Sequence, residues 1–352
     1  MQYYVGVDNH KKFSYLSVMD EKGVVVKEGR VVNTREAVNK FLGKEYTKDT
    51  SAVLEAGRNW TVMYDWLEEE LDEVKLAHPL KVKAIAEAKI KTDKIDAKTL
   101  AHLLRCDLVP EAYVPDKGTR IIKNILRQRM FLVKLATMVK NRIHLIIDRH
   151  PEVKNQINLQ DLFSKQGLEW LSLVVLPKED RRILDEELDL LNYLHEKIES
   201  SNYWITQIGK DDADVQLLMT IPAGIGKFFA LLIANEIDDI TRFRDKNKLA
   251  SYAGLIPSVH ASADKVFHGR IVKHGNKYLR WALIEAVWPA IRKDLSLREY
   301  YESLKARKGA NQAKVAVARR LSVIVYRVLS QKRSYIVNYS GCPHFSLAEA
   351  AR

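Results

Sequence analysis

Three runs rich in valine and tyrosine follow one another at the start of this chain, and their order constrains the fold most. Tyr3–Asp8, Phe13–Met19 and Val24–Val32 are separated by turn signals such as Glu21-Lys22-Gly23. Consecutive strands at that spacing predict an antiparallel meander. Thr34 is then placed as the N-cap of a helix over Ala37–Leu42. Ser51–Glu55 is an apolar run of strand length, a buried strand. Over Trp60–Leu71 the apolar residues Val62, Met63, Trp66, Leu67 and Leu71 fall on one stripe, the signature of an amphipathic helix. Val74–Ala77 is a further strand ended by Pro79, and helix is expected from about 80 to 105 with a break near Lys91-Thr92.

Meander, helix, strand, helix, strand, helix is the order of a ribonuclease-H-like α/β fold, here over residues 1–115. Four acids punctuate it. Asp8 and Glu55 end predicted strands, and Asp93 and Asp96 open the last helix. Residues three apart share a helical face. Asp8 and Glu55 meet only if both strands end on the same side of the sheet. Phosphoryl transfer with paired metals needs carboxylates converging on ions about 4 Å apart. Hard oxygen ligands favour Mg²⁺ or Mn²⁺ over Zn²⁺. The bland alternative is capping, with Asp93 as an N-cap and Asp96 at N3.

The remainder reads as all-α. Residues 116–212 form a middle segment and 213–352 a C-terminal one. A helix over 117–149 carries nine Lys or Arg against the single acid Asp148. One-sided charge of that kind points to phosphate contact, with Lys123, Arg127, Lys134 and Arg142 as candidates. Residues 178–208 mix charges and place Leu184, Leu188, Leu191, Ile198 and Ile205 near heptad spacing, with His195 on the seam. Either a coiled coil between protomers or packing on the same chain fits. Leu217 to Lys227 reads as a helix-hairpin-helix-like element whose turn amides could hold a phosphate, with Lys227 beside it. It is not a Walker loop, since position 221 is Ile and Phe228 follows the lysine. Residues 270–334 hold sixteen Lys or Arg against four acids and end in a helix over 310–331.

The chain has 352 residues and a formal net charge of +12. That balance favours a polyanionic partner, nucleic acid before an anionic membrane. Cys106 and Cys342 are too few for a disulfide framework. No apolar run is long enough to span a bilayer and no signal peptide opens the sequence, so a cytoplasmic location is expected. His260, His268 and His274 cluster without zinc-motif spacing, and no Gly-x-Ser-x-Gly elbow is present. Trp60, Trp66 and Trp281 are expected in cores, and Arg58 could touch a phosphate.

Several ordered pieces carry a family resemblance. They are Gly6-Val7-Asp8, Leu54-Glu55-Ala56, Lys91 to Ala97, Ile221-Pro222 with Gly224-Ile225-Gly226, Tyr252 to Pro257, and Gly269-Arg270-Ile271 through Lys273 to Arg280. With these the chain resembles the DEDD transposases of insertion sequences directed by a bridge RNA, and the related site-specific DNA invertases. The resemblance implies a RuvC-like N-terminal domain over 1–115 and a mainly helical transposase domain over 213–352. It also implies Mg²⁺ or Mn²⁺ held by Asp8, Glu55, Asp93 and Asp96, with Ser262 as a nucleophile that becomes covalently joined to DNA. Where that family usually has Ser-Gly, this chain has Ser262-Ala263-Asp264, and Ser258 is the alternative. Arg270, Lys273, Lys277 and Arg280 are expected on backbone phosphates. The implied partners are donor and target DNA, a structured guide RNA, and further copies in a homodimer or homotetramer. The competing expectations are an invertase without an RNA guide and a RuvC-like nuclease or junction resolvase that uses only the acids.

Overall fold

In the computed structural model the described residues are 2–57, 59–86, 92–154, 159, 161–221, 225–262, 265–272 and 275–335, without the side chains of 259–262, 265–268 and 270. The chain divides into two units, Met1–Pro115 and Asp116–Arg352.

The first unit contains β1 (Tyr3–Asn9), β2 (Phe13–Met19), β3 (Val25–Val32), α1 (Arg35–Leu42), β4 (Thr50–Glu55), α2 (Trp60–Glu70), β5 (Glu73–Ala77), α3 (Pro79–Ile85) and α4 (Asp93–Arg105). The sheet order is β3-β2-β1-β4-β5. The meander is antiparallel, whereas β4 runs parallel to both β1 and β5. In β4, Thr50 to Leu54 are all buried, as befits a parallel strand covered on both faces. Val5, Val7, Ala52 and Leu54 face a core closed by Val38 and Leu42 of α1 and Met63 and Leu67 of α2. Val53 and Ala77 face the other way, against Val82 of α3 and Leu100, Leu103 and Leu104 of α4. The sheet is thus sandwiched between helical layers. Trp60 and Trp66 pack at the edge of the first core, in the structural role expected of them.

The helix expected from 80 to 105 with a break near Lys91-Thr92 is observed as α3 and α4, the second opening at Asp93. The residue that caps α4 is Thr92, whose hydroxyl accepts from the Ile95 amide at 3.2 Å. This corrects the capping alternative for Asp93: the threonine satisfies the helix end, and the aspartate side chain is released for another partner.

The second unit contains α5 (Lys117–Asp148), α6 (Pro151–Lys154), α7 (Lys165–Leu173), α8 (Lys178–Ile208), α9 (Ala213–Met219), α10 (Lys227–Ile237), α11 (Lys246–Tyr252), β6 (Pro257–Ser262), β7 (Lys265–Ile271), α12 (Lys277–Glu285), α13 (Val287–Lys293), α14 (Leu295–Lys308) and α15 (Ala310–Gln331). It holds two cores. One surrounds α10, α12 and α15 and takes in Leu126 of α5 and Ile205 of α8. The other lies between the second half of α5, with Ala136, Val139, Ile143 and Ile147, and Leu184, Leu191 and Leu194 of α8. The heptad-like seam of α8 therefore packs on α5 of its own chain, with Leu188 and Ile198 completing it. His195 is half-buried beside it, where burial and the Lys140 charge hold its imidazole below the ordinary value. Trp281 packs edge-on against Phe228 and tilted against Phe229 at the margin of the larger core. Helices α9 and α10 flank the turn expected within Leu217 to Lys227, although Pro222-Ala223-Gly224 lie outside the described residues. No helix among the described residues is long and apolar enough to cross a membrane.

Candidate metal centre and serine hairpin

Gly6 decides where the acids of the first unit meet. A Cβ on Gly6 would lie 1.9 Å from the Ala97 carbonyl oxygen and 2.6 Å from the Ala101 nitrogen. Only glycine lets α4 press directly on β1 at this point. Asp8 is two residues further along the strand, on the same face as Gly6. Asp93 is one helical turn before Ala97. Two strand residues advance about 6.6 Å and four helical residues about 6 Å. A register set at Gly6 and Ala97 therefore brings Asp8 and Asp93 to the same level. An ion pair between Lys94 and Glu28 of β3 ties down the same end of α4.

His10 completes the cluster. Its Nε2 lies 3.2 Å from Asp8 Oδ2 and 3.1 Å from Asp93 Oδ1. One donor atom from each of Asp8, His10 and Asp93 falls within 4.8 Å of the others, a spacing that a single cation can bridge. Burial pushes the Asp8 carboxyl above the ordinary carboxylate range, the negative charges of Asp93 and Asp96 push it further, and His10 acts in the opposite sense. Carboxylates held together against their charge are what a divalent cation relieves. The donor set therefore fits a metal ion. The position of Asp93 and Asp96 in the first turn of α4 lowers the cost of gathering them, because the helix N-terminus favours negative charge.

Glu55 is placed by strand register. Val7 pairs with Leu54 in the parallel β1–β4 ladder, so Asp8 and Glu55 occupy the next step on neighbouring strands and project to the same face. Like Asp96, Glu55 lies at this end of the sheet but outside the group of three that converges. His10 was not among the ligands expected from the sequence. The signal available was its spacing of two from Asp8, which places both on one face of an extended chain.

The serine lies in the second unit, on a two-stranded β-hairpin that the all-α expectation for this part of the chain did not include. Ser262 ends β6, opposite Lys265 of β7, at the closed end of a two-stranded antiparallel hairpin. The base of the hairpin is built from two motif pieces twenty residues apart. Gly254 takes φ +68°, a left-handed conformation. A Cβ on Gly275 would lie 2.4 Å from the Tyr252 carbonyl oxygen and 2.5 Å from the Gly254 nitrogen. The Asn276 amide donates to the Tyr252 carbonyl at 2.6 Å, and the Arg280 Nη1 donates to the Ala253 carbonyl at 3.3 Å. Asn276 also caps α12 and donates through Nδ2 to buried Glu236 at 2.8 Å. Ser258, the alternative serine, is the second residue of β6, at the register shift between Pro257 and Val259, and a Cβ added at Gly269 would meet its hydroxyl at 2.3 Å.

Two family models match the chain. A DEDD model described as Transposase covers residues 5–150, the segment that carries the acids. A model described as the Transposase IS116/IS110/IS902 family covers residues 215–302, the segment that carries the hairpin. The chain belongs to the IS116/IS110/IS902 family of transposases. It is 30% identical over 132 residues to the transposase for insertion sequence element IS1111A of Coxiella burnetii, covering 36% of each chain. It is 28% identical over 160 residues to the transposase for insertion sequence element IS1328 of Yersinia enterocolitica, 44% of this chain and 48% of that one. It is 27% identical over 300 residues to the pilin gene-inverting protein of Moraxella bovis, 82% of this chain and 83% of that one. The matched stretches thus span less than half of the Coxiella and Yersinia relatives.

The basic residues of this transposase-family chain fall into two groups, those paired with acids of the second unit and those exposed, and among the described residues Lys123 alone of the expected phosphate contacts is buried. Lys123 is buried and faces Glu236 and Asp238, and desolvation pushes its ammonium below the usual lysine range. Arg127 grips Glu236 with both Nη2 and Nε, at 2.8 and 3.2 Å, and lies over the Tyr278 ring. Arg142 pairs with Glu187 at 2.5 Å. Arg280 is committed to the hairpin base. Charge counting along a helix does not reveal that acids elsewhere in the chain neutralise one of its faces. Lys134, Lys227 and Lys277 are exposed. The Arg270 side chain, and Arg58, Lys273, His274 and Cys342, lie outside the described residues.

Proposed function

We propose that this chain cuts and rejoins DNA strands as a transposase or recombinase, through a ribonuclease-H-like domain over 1–115, a helical segment over 116–212 and a serine-bearing domain over 213–352. The observation that carries the proposal is the gathering of Asp8, Asp93 and His10, beside Glu55 and Asp96, at one end of a sheet in a family of transposases. When bound there, Mg²⁺ or Mn²⁺ would supply Lewis-acid polarisation of a phosphoryl oxygen. Asp8, Glu55, Asp93 and Asp96 would hold that ion, and the N-terminus of α4 supplies the positive end of its dipole beside it.

Ser262 is the nucleophile in this reading. Its Oγ attacks phosphorus, forming an Oγ–P bond as the bond from phosphorus to one strand oxygen breaks. The serine proton leaves with a nearby base and the departing strand gains a hydroxyl. Attack by a strand hydroxyl on the phosphoserine reverses the exchange, so bonds balance without an external energy source. A serine hydroxyl needs such activation, being a weak nucleophile at its free pKa. The hairpin supports the role by holding Ser262 at the end of a braced strand.

Lys134, Lys227 and Lys277 would contact phosphates of DNA, and of a structured guide RNA in the reading inherited from the family resemblance. A homodimer or homotetramer would bring two duplexes together, and the reaction would take place in the cytoplasm. A second reading, site-specific inversion, is favoured by the length of the match to the pilin gene-inverting proteins.

The deciding experiment is covalent trapping. Full-length protein with its copurified nucleic acid is incubated with Mg²⁺ and labelled DNA carrying the element junction, then run on a denaturing gel. An adduct lost in both Ser262→Ala and Asp8→Ala is expected. Cleavage that persists in Ser262→Ala without any adduct would leave a nuclease using the acids alone.

A further inference from the structure

We propose that His10 is a direct metal ligand of this centre through Nε2, and that it tilts the site from Mg²⁺ toward Mn²⁺. The inference rests on the metal-dependent reading above and adds to the four acids a ligand of different chemistry.

The imidazole is held in place from several sides. The His10 amide donates to the Phe13 carbonyl at 3.0 Å, and Asn33 Nδ2 donates to the His10 carbonyl at 2.7 Å. Ser14 Oγ lies 2.9 Å from Asn9 Oδ1 and 2.7 Å from Asn33 Oδ1, tying β2 and the end of β3 to the end of β1. The His10 ring packs against Phe13, with centroids 5.0 Å apart, and Phe13 is covered by the Arg30 guanidinium at 3.6 Å from its centroid. Nε2 is thereby aimed between the two carboxylate oxygens it contacts. A nitrogen so placed either bridges the acids with its proton or, once deprotonated, gives its lone pair to the cation that replaces that proton.

Ligand chemistry then sets the preference. Mg²⁺ is a hard cation that takes oxygen almost exclusively, whereas imidazole suits transition metals and Mn²⁺ accepts both donor types. A site of carboxylate oxygens plus one imidazole nitrogen binds Mn²⁺ without giving up a ligand, while Mg²⁺ leaves the nitrogen unused.

The test is electron spin echo spectroscopy of Mn²⁺ bound to the full-length protein, with no activity readout. Wild type is expected to show ¹⁴N modulation from a coordinated imidazole. His10→Asn and His10→Gln, checked for folding by circular dichroism, should lose that modulation. Mg²⁺ should displace Mn²⁺ from these variants at concentrations lower by about 10–100-fold, the range typical of perturbed ligand surroundings. Mn²⁺ that binds wild type, is lost in Asp8→Ala and shows no ¹⁴N modulation would overturn the role of His10 and leave the acid centre standing. Modulation that survives in both His10 variants would do the same. Failure of wild type to bind Mn²⁺ would remove both.

Discussion

Replacing Gly6 by alanine should disable the acid centre while leaving the second unit intact. The new Cβ would start 1.9 Å from the Ala97 carbonyl oxygen and 2.6 Å from the Ala101 nitrogen, both backbone atoms. Neither can rotate away, so α4 must lift by roughly 1.6 Å or more to restore an ordinary separation, given optimal carbon contacts of about 3.5–4.0 Å. Overpacking of this kind costs about 1–3 kcal/mol. The same shift carries Asp93 away from Asp8, and a 1 Å misplacement can cost about 10²-fold in a reaction that needs positioned groups. The assay is Mn²⁺ titration followed by electron paramagnetic resonance, alongside thermal unfolding. Gly29→Ala serves as control, since its Cβ would meet only the Phe41 ring edge at 3.3 Å. Expected are a modest loss of stability and a large loss of metal affinity in Gly6→Ala, with little change in the control. Wild-type metal affinity in a folded Gly6→Ala protein would refute the claim that α4 seating sets the site.

Three further outcomes follow from the same geometry. Arg127→Ala leaves Glu236, which is 1% exposed, without its guanidinium partner; a loss of roughly 3 kcal/mol in chemical denaturation is expected, and a loss below 0.5 kcal/mol would show that Asn276 suffices. Lys134→Ala and Lys277→Ala should barely move stability but should each reduce the salt slope of duplex DNA binding by about 0.9, measured by fluorescence anisotropy across a salt series; an unchanged slope removes the residue from the interface. Asp8→Asn should raise the stability of the metal-free protein at neutral pH. The Asp8 carboxyl is pushed up by burial and by Asp93 and Asp96, so its ionised form costs the fold, and wild-type stability falls as pH rises from the ordinary aspartate value to the raised one. Metal-free melting curves should therefore show wild type and Asp8→Asn converging at acid pH and diverging above it, and parallel curves would contradict the assignment.

Much of the first unit is legible in the sequence because its signals are local. Valine-rich runs with turn residues define the meander, Thr34 caps α1 as its spacing indicates, and Pro79 separates β5 from α3. The acids were visible as residues at the ends of such elements. The hairpin around Ser262 was not, because Pro257–Ile271 is rich in small and polar residues and shows no clean alternation. Its strands are held by bonds at their base, between Tyr252–Gly254 and Gly275–Asn276, which no local pattern encodes.

The sequence by itself determined the order of elements, the basic balance, and which acids were available at strand and helix ends, since propensity, periodicity and capping act over a few residues. The tertiary structure decided which charges are free and which acids meet. Lys123 and Arg127 look like phosphate contacts along α5, yet Glu236, more than a hundred residues away, takes them inward. His10 looks like an ordinary turn residue, yet the approach of α4 at Gly6 puts Asp93 within 3.1 Å of its Nε2. Both are long-range pairings set by packing, and electrostatic partnership depends on distance in space rather than along the chain.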